Sequence, residues 1–144
     1  MHESLKLDNQ LCFRLYTASR LVTQAYRPLL EKLDLTYPQY LVMMILWEQD
    51  DVCISTITER LMLETNTVTP LLKRMEDEGL LKRKPGKDDA RQKIISLTTK
   101  GKNLQKKAVD VPACLVKNML EKQINMQELG SIAPILDKLI KALQ

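Results

Sequence analysis

The chain has 144 residues, of which 44% are hydrophobic and 28% are charged, so its composition is that of a folded domain and not of a disordered segment. It has no run of 18 apolar residues and starts with a polar stretch, so we expect no membrane span and no secretory signal, and a cytoplasmic location. Its three cysteines are an odd number at long spacing, which argues against a disulfide framework or a metal site, and no cofactor is expected.

Positive charge is concentrated in one part of the chain. The formal net charge is +4 and the pI is about 9.0. Residues 65–107 hold 12 Lys or Arg against five Asp or Glu, a balance of +7, whereas the remaining residues sum to −3. A local basic surface of this kind is typical of proteins that face phosphates, although a solvated lysine-rich face would give the same count.

Two helices are predicted in the first third of the chain. Apolar residues recur at a helical period between Leu5 and Leu33, which indicates one long helix. Thr36 followed by Gln39 is a capping-box pattern, and it predicts a second helix that runs to Trp47.

Two short helices are predicted next. Residues 52–54 favour a short extended segment, and Ser55 is the expected N-cap of a helix over Thr56–Met62. A tight turn leads to a helix over Asn66–Glu78, which Gly79 should end because glycine accepts the left-handed conformation there.

After Gly79 the apolar residues no longer recur at the helical period, and the pattern predicts a β-hairpin. Its strands are Leu80–Lys84 and Arg91–Leu97, joined by a charged tip. Two short helices followed by a hairpin form a winged helix-turn-helix, so we expect a mostly α, α+β fold. A single domain over 1–144 is predicted, with residues 52–97 as its DNA-binding region.

The last part of the chain is predicted to be helical. Thr98 should cap a helix over Thr99–Val111, which Pro112 kinks or interrupts. Asn125 with Glu128 three residues later predicts the cap of a final helix that runs to Leu143.

The second short helix has the size that enters a major groove of duplex DNA, and short polar side chains at its N-terminus can reach bases or phosphates. Simple capping and solvation would explain the same threonines, but the basic hairpin that follows favours DNA. The candidate contacts on the helix are Thr65, Asn66, Thr67, Thr69, Lys73 and Arg74. Those on the hairpin are Lys84, Lys87, Arg91 and Lys93.

These segments resemble a known family. The run TPLLKRMEDEGL, followed by Arg83, Asp89, Arg91 and the tetrapeptide ISLT, is similar to the MarR family of bacterial repressors. The segments LDNQLCFRLYTASR, YRPLLEKLDLTYPQYLVMMILWE and KAVDVP resemble its organic-hydroperoxide-sensing branch.

The resemblance implies a homodimer whose terminal helices interlock, here the dimerisation helices 5–33 and 99–143, bound to a pseudo-palindromic double-stranded operator. It implies a non-enzymatic repressor that binds DNA when reduced and leaves it when a cysteine near the N-terminus is oxidised by an organic hydroperoxide. The wing pair that matches the family pattern is Asp89 and Arg91.

The resemblance also assigns the redox site. The matching cysteine is Cys12, the matching tyrosines are Tyr26 and Tyr37, and Tyr16 lies one turn beyond Cys12. Some members carry a second, resolving cysteine in the C-terminal helical region, where this chain has Cys114.

The sensing chemistry requires a thiolate, which a peroxide converts to a sulfenic acid and which tyrosine hydroxyls stabilise by hydrogen bonds. Cys12 and Tyr26 lie 14 residues apart, or ~21 Å along one straight helix. We therefore expect the tyrosines to reach Cys12 across a dimer interface.

Three other functions stay open from the sequence. A MarR-type repressor released by a small aromatic ligand would work without Cys12. A thiol peroxidase would use Cys12 catalytically, but no CxxC pair or α/β pattern supports it. A plain dimeric interaction module leaves the basic hairpin without a role.

Overall fold

The structure, a computed structural model, describes residues 2–144. Seven helices are distinguished in this range: α1 Leu11–Glu31, α2 Tyr37–Glu48, α3 Ile54–Leu61, α4 Thr65–Asp77, α5 Thr99–Ala108, α6 Val111–Leu120 and α7 Met126–Leu143. Three strands, β1 Val52–Cys53, β2 Leu81–Pro85 and β3 Lys93–Leu97, form an antiparallel sheet in the order β1-β3-β2. The mostly helical winged helix-turn-helix expected from the sequence is confirmed.

The chain divides into two compact units, one ending at Val109 and the other spanning Asp110–Gln144. The single domain over 1–144 and the two dimerisation segments stay predictions. Within residues 2–144, no helix is long and apolar enough to cross a membrane.

The core of the first unit surrounds α2, which is apolar on nearly every face. This helix contacts α1, α3, α4 and α5. The largest fully buried side chains are Leu30, Val42, Met43, Leu46, Ile57, Val68, Leu72, Met75, Leu81 and Ile95. This packing fixes the rotation of α4, since the apolar face of α4 points inward.

Local capping signals predicted several helix ends correctly. The Thr36 and Gln39 side chains form both hydrogen bonds of the capping box at the start of α2. The Thr98 hydroxyl accepts from the Gly101 amide at the start of α5, and Asn125 caps α7. Gly79 follows α4 with a φ of +76°, in the left-handed region that glycine favours.

The first helix begins at Leu11 and not at Leu5, which corrects the sequence prediction. Residues 3–5 and 7–9 form short 3-10 turns. The Asn9 side-chain amide donates to the Glu3 carbonyl, and the Gln10 side-chain amide donates to the Ser4 carbonyl. These side chains satisfy backbone groups that a longer helix would have used.

Two further boundaries differ from the prediction. Helix α3 begins at Ile54, so Ser55 lies inside it, because the pairing of Val52 with Ile95 holds the preceding residues extended up to Cys53. The C-terminal region holds three helices instead of two. The break falls at 109–110, and Pro112 lies in the first turn of α6, where a missing amide costs least.

Candidate nucleic-acid interface and redox site

A left-handed turn at Met62, with a φ of 55°, redirects the chain between α3 and α4. The buried face of α4 consists of Val68, Leu71, Leu72 and Met75. The helical period therefore places Asn66, Pro70 and Lys73 at the centre of the opposite face, with Thr69 beside them. We call these four residues the recognition face.

The other sequence candidates on α4 lie away from the recognition face. Thr65 and Thr67 are exposed at its two flanks near the helix N-terminus. Arg74 lines a cleft of about 490 Å³ together with Glu31 and Gln39, so its side chain faces the start of α2.

Lys73 forms ion pairs with two acidic residues of its own helix. Its ammonium lies 3.1 Å from an Asp77 carboxylate oxygen and 3.7 Å from one of Glu76. The hydrogen bond with Asp77 is the largest cause that raises the pKa of Lys73 above its ordinary value. A phosphate would therefore compete with these carboxylates for Lys73.

The hairpin forms a wing with a defined tip. Its strands pair from Leu81 with Leu97 to Pro85 with Lys93, and the Gly86 amide donates to the Gln92 carbonyl. The tip therefore spans residues 86–92.

At this tip the Asp89 carboxylate accepts from the Arg91 amide at 3.0 Å and from the Arg91 Nε at 3.3 Å. The Arg91 side chain is 93% exposed, so its guanidinium projects from the wing. Lys87 is also exposed and forms no ion pair with any other residue between 2 and 144.

Lys84 has a structural partner at the base of the wing. Its ammonium lies 2.8 Å from the Asp51 carboxylate, which also accepts a hydrogen bond from the Ser96 hydroxyl. The hydrogen bond with Lys84, followed by that with Ser96, lowers the pKa of Asp51. Lys84 therefore ties the wing to the loop before β1.

Sequence reasoning overlooked Lys82. It is exposed on β2, two residues before Lys84. The alternation of a strand puts both lysines on one face of the sheet, and that spacing was the available signal.

The structure separates the predicted redox residues into two groups. Cys12 is exposed in the first turn of α1, and Tyr16, also exposed, lies one turn further along. Tyr26 lies on the same uninterrupted helix, ~21 Å from Cys12 along its axis.

Tyr26 and Tyr37 lie together with a third tyrosine. The Tyr26 ring centroid is 4.9 Å from that of Tyr37 and 5.8 Å from that of Tyr40. Burial, with smaller contributions from Tyr37 and Tyr40, raises the pKa of Tyr26, so its hydroxyl stays protonated and able to donate. Tyr40 was missed in the sequence, although it lies one helical turn from Tyr37.

The remaining cysteines lie elsewhere. Cys114 is exposed on α6, and Cys53 is half-buried in β1 with its sulfur 3.9 Å from the Gln92 side-chain oxygen. All three cysteines are free thiols. No group of three or more His, Cys, Asp or Glu side chains suited to a metal ion occurs among residues 2–144.

Both terminal helical regions expose large apolar side chains. Those on α1 are Leu11, Phe13, Tyr16, Leu21 and Val22. Those on α7 are Met126, Ile132, Ile135, Ile140 and Leu143, and no residue of α7 is buried.

Comparison with known proteins identifies the family. The pattern of the family described as Transcriptional regulator SarA/Rot matches residues 24–108. The chain belongs to this MarR-like family of transcriptional regulators. Over 114 residues it is 48% identical to the organic hydroperoxide resistance transcriptional regulator of Bacillus subtilis (strain 168), covering 79% of this chain and 78% of that protein.

Solved structures agree with this assignment. Reduced AbfR bound to DNA matches with a TM-score of 0.78 and 35% identity, over 99% of this chain and 96% of that one; AbfR comes from Staphylococcus epidermidis. Disulfide-formed AbfR matches with a TM-score of 0.64 and 35% identity, over 98% and 92% of the two chains. The resemblance to MarR-type organic hydroperoxide regulators is confirmed.

Proposed function

We propose that this regulator is a homodimeric repressor that binds a pseudo-palindromic DNA operator when reduced and releases it when an organic hydroperoxide oxidises Cys12. The observation that carries the proposal is that one chain combines an exposed thiol on α1 with a winged helix that exposes Asn66 and Lys73 on its recognition face and Arg91 at its wing tip. As a DNA-binding regulator it would act in the cytoplasm.

Exposed apolar side chains support the dimer. Large residues on α1 and α7, among them Tyr16 at 69% and Ile135 at 66% exposure, would be removed from water by a second copy of the chain. A two-fold dimer would present two α4 helices to successive major grooves, about 34 Å apart.

Each part of the winged helix has a distinct task in the proposal. Asn66 and Thr69 would reach base edges from the recognition face, while Lys73 and the flanking Thr65 and Thr67 would contact phosphates. On the wing, Asp89 would orient the Arg91 guanidinium for the minor groove. Lys84, Lys87 and Arg74 would add electrostatic attraction.

The proposed sensor joins residues of two subunits. Tyr26 and Tyr37 form one pair, and Tyr26 lies ~21 Å along α1 from the Cys12 of the same chain. In the dimer, their hydroxyls would donate hydrogen bonds to the Cys12 thiolate of the other subunit and stabilise it. Tyr16, one turn from Cys12, would cover the thiol.

Oxidation would proceed in two balanced steps. The Cys12 thiolate attacks one peroxide oxygen, the O–O bond breaks, and the alkoxide leaves and takes up a proton, which gives a sulfenic acid and an alcohol. The thiol of Cys114 in the other subunit then attacks the sulfenic sulfur, which forms a disulfide and releases water. The disulfide form of AbfR supports this second step. Each Cys12–Cys114 pair would consume one peroxide, so in this proposal the protein acts as a stoichiometric sensor and not as an enzyme.

Operator binding tests the proposal. Fluorescence anisotropy with operator DNA would be measured before and after one equivalent of cumene hydroperoxide, for the wild type and for Cys12→Ser. We expect oxidation to weaken binding in the wild type alone. If both proteins keep their affinity after oxidation, the proposal is wrong and a ligand-released repressor becomes the better explanation. Steady consumption of peroxide with a thiol reductant would instead indicate a peroxidase.

A further inference from the structure

A buried amide connects the helix that carries Tyr37 to the recognition helix. Gln39 lies in the first turn of α2, two residues after Tyr37, and its residue is only 4% exposed. Its Nε2 donates to a carboxylate oxygen of Glu78 at 3.0 Å, across 39 positions of sequence.

The other end of the Gln39 amide is also occupied. Its Oε1 accepts from the Thr36 backbone amide at 3.0 Å, and the Gln39 backbone amide donates to the Thr36 hydroxyl. Because both ends of a buried amide are bonded, the Gln39 side chain cannot rotate without losing a partner. It must therefore move with the first turn of α2.

Glu78 is held just as closely to α4. It is the C-cap residue of that helix, and its backbone amide donates to the Arg74 carbonyl at 2.9 Å. The Lys100 ammonium donates to the Glu78 carbonyl at 2.8 Å. A carboxylate at the C-terminal end of a helix opposes the helix dipole, so a donor such as the Gln39 amide relieves an unfavourable placement.

We propose that Gln39 is a positioning residue that transmits the state of the redox site to the recognition helix. This inference rests on the proposed function. When oxidation of Cys12 displaces Tyr37, the first turn of α2 shifts, and the Gln39 amide carries Glu78 and the end of α4 with it. The reorientation of α4 then changes how the recognition face meets DNA.

A charge placed at the Gln39–Glu78 contact distinguishes the proposed coupling of α2 to α4 from the capping of α2 by the same side chain. Gln39→Glu keeps the capping acceptor, since glutamate serves as well as glutamine at this position, but it sets a second carboxylate against Glu78. The double variant, Gln39→Glu with Glu78→Gln, restores the hydrogen bond with its direction reversed, since the amide at position 78 then donates to the carboxylate at position 39. Glu78→Gln alone keeps an amide-to-amide bond and is the matched control.

The measured quantity is the ratio of the operator dissociation constants of the oxidised and reduced protein. We expect Gln39→Glu to lower this ratio about tenfold, within the usual range of allosteric coupling, and the double variant to restore most of it. The rate at which Cys12 reacts with cumene hydroperoxide, followed with a sulfenic-acid probe, should stay at the wild-type value in all variants.

Glu78→Ala, a truncation at an exposed residue, provides a second test in case Gln39→Glu fails to fold, and it should lower the same ratio. An unchanged ratio in the folded variants, or a double variant that fails to recover it, would overturn the proposal. If the ratio is one in the wild type, oxidation does not release the operator. That result would contradict the proposed function, and the coupling through Gln39 would be contradicted as well.

Discussion

The Tyr26 and Tyr37 rings lie 4.9 Å apart, although a turn separates the helices that carry them. This pair is formed within one chain, whereas Cys12 lies at the far end of α1. A sensor built from these three residues therefore needs two copies of the chain, and dimerisation becomes a condition for sensing as well as for DNA binding.

Removing either hydroxyl should slow the oxidation of Cys12. Tyr26→Phe and Tyr37→Phe each delete one donor to the thiolate, worth about 1.5 kcal/mol, so we expect the rate to fall roughly tenfold. A sulfenic-acid probe and mass spectrometry would measure it. Tyr40→Phe is the matched control, since the Tyr40 ring is buried within its own subunit, and an equal loss there would contradict the assignment.

Asn66 should discriminate between bases. It lies at the centre of the recognition face, so Asn66→Ala should cost about 1–3 kcal/mol of operator affinity and relax the preference at one base pair per half-site. Competition binding with operators altered one base pair at a time would detect this. Asn103→Ala, at an exposed position of α5, should leave the affinity unchanged. A uniform loss on all sequences would instead indicate that Asn66 contacts phosphate.

Gly101 should tolerate no side chain. A Cβ there would overlap the Leu80 carbonyl oxygen, at the point where the Gly101 carbonyl accepts from the Trp47 indole at 3.0 Å. We expect Gly101→Ala to lower the free energy of unfolding in urea by about 1–3 kcal/mol. Gly130→Ala, where a Cβ meets nothing within 4 Å, should change it by under about 1 kcal/mol, in the stabilising direction. Equal effects would contradict the close packing at Gly101.

The wing should loosen in acid through Asp51. Hydrogen bonds from Lys84 and Ser96 lower its pKa in the folded state, so its contribution is complete above its ordinary pKa and is lost as the pH falls through the lowered value. The effect should be below about 1 kcal/mol, because the Asp51 side chain is 58% exposed.

Hydrogen exchange of the β2 and β3 amides, followed by NMR from pH 6 to pH 3, would measure this loosening; the Leu97 amide is left out because it donates to the Asp50 carboxylate. Asp51→Asn is the control, since asparagine accepts the φ of 57° at this position but carries no charge. A variant with the same pH dependence as the wild type would assign the effect to another group.

Local chemistry predicted much of the fold, and pairing over long distances accounts for the rest. The caps at Thr36, Thr98 and Asn125 depend on residues three positions away, so the sequence displays them directly. The start of α3 was misplaced because the pairing of Val52 with Ile95 decides it.

The same distinction holds at the candidate sites. The helical period of α4 and the basic composition of the hairpin are local patterns, and they predict that Asn66 and Arg91 are exposed, as both are. The ion pair of Lys84 with Asp51 and the contact of Gln39 with Glu78 join residues 33 and 39 positions apart, and no local pattern marks them.

Heterodimers of two defective chains test the shared sensor most directly. One chain would carry Cys12→Ser, and the other both Tyr26→Phe and Tyr37→Phe; the rate of oxidation of the remaining Cys12 would be measured after purification with two affinity tags. If the sensor is built across subunits, the tyrosines of the first chain serve the cysteine of the second, and the rate equals that of the wild type. A rate as slow as that of the Tyr26→Phe/Tyr37→Phe homodimer would place cysteine and tyrosines in the same subunit and contradict the account.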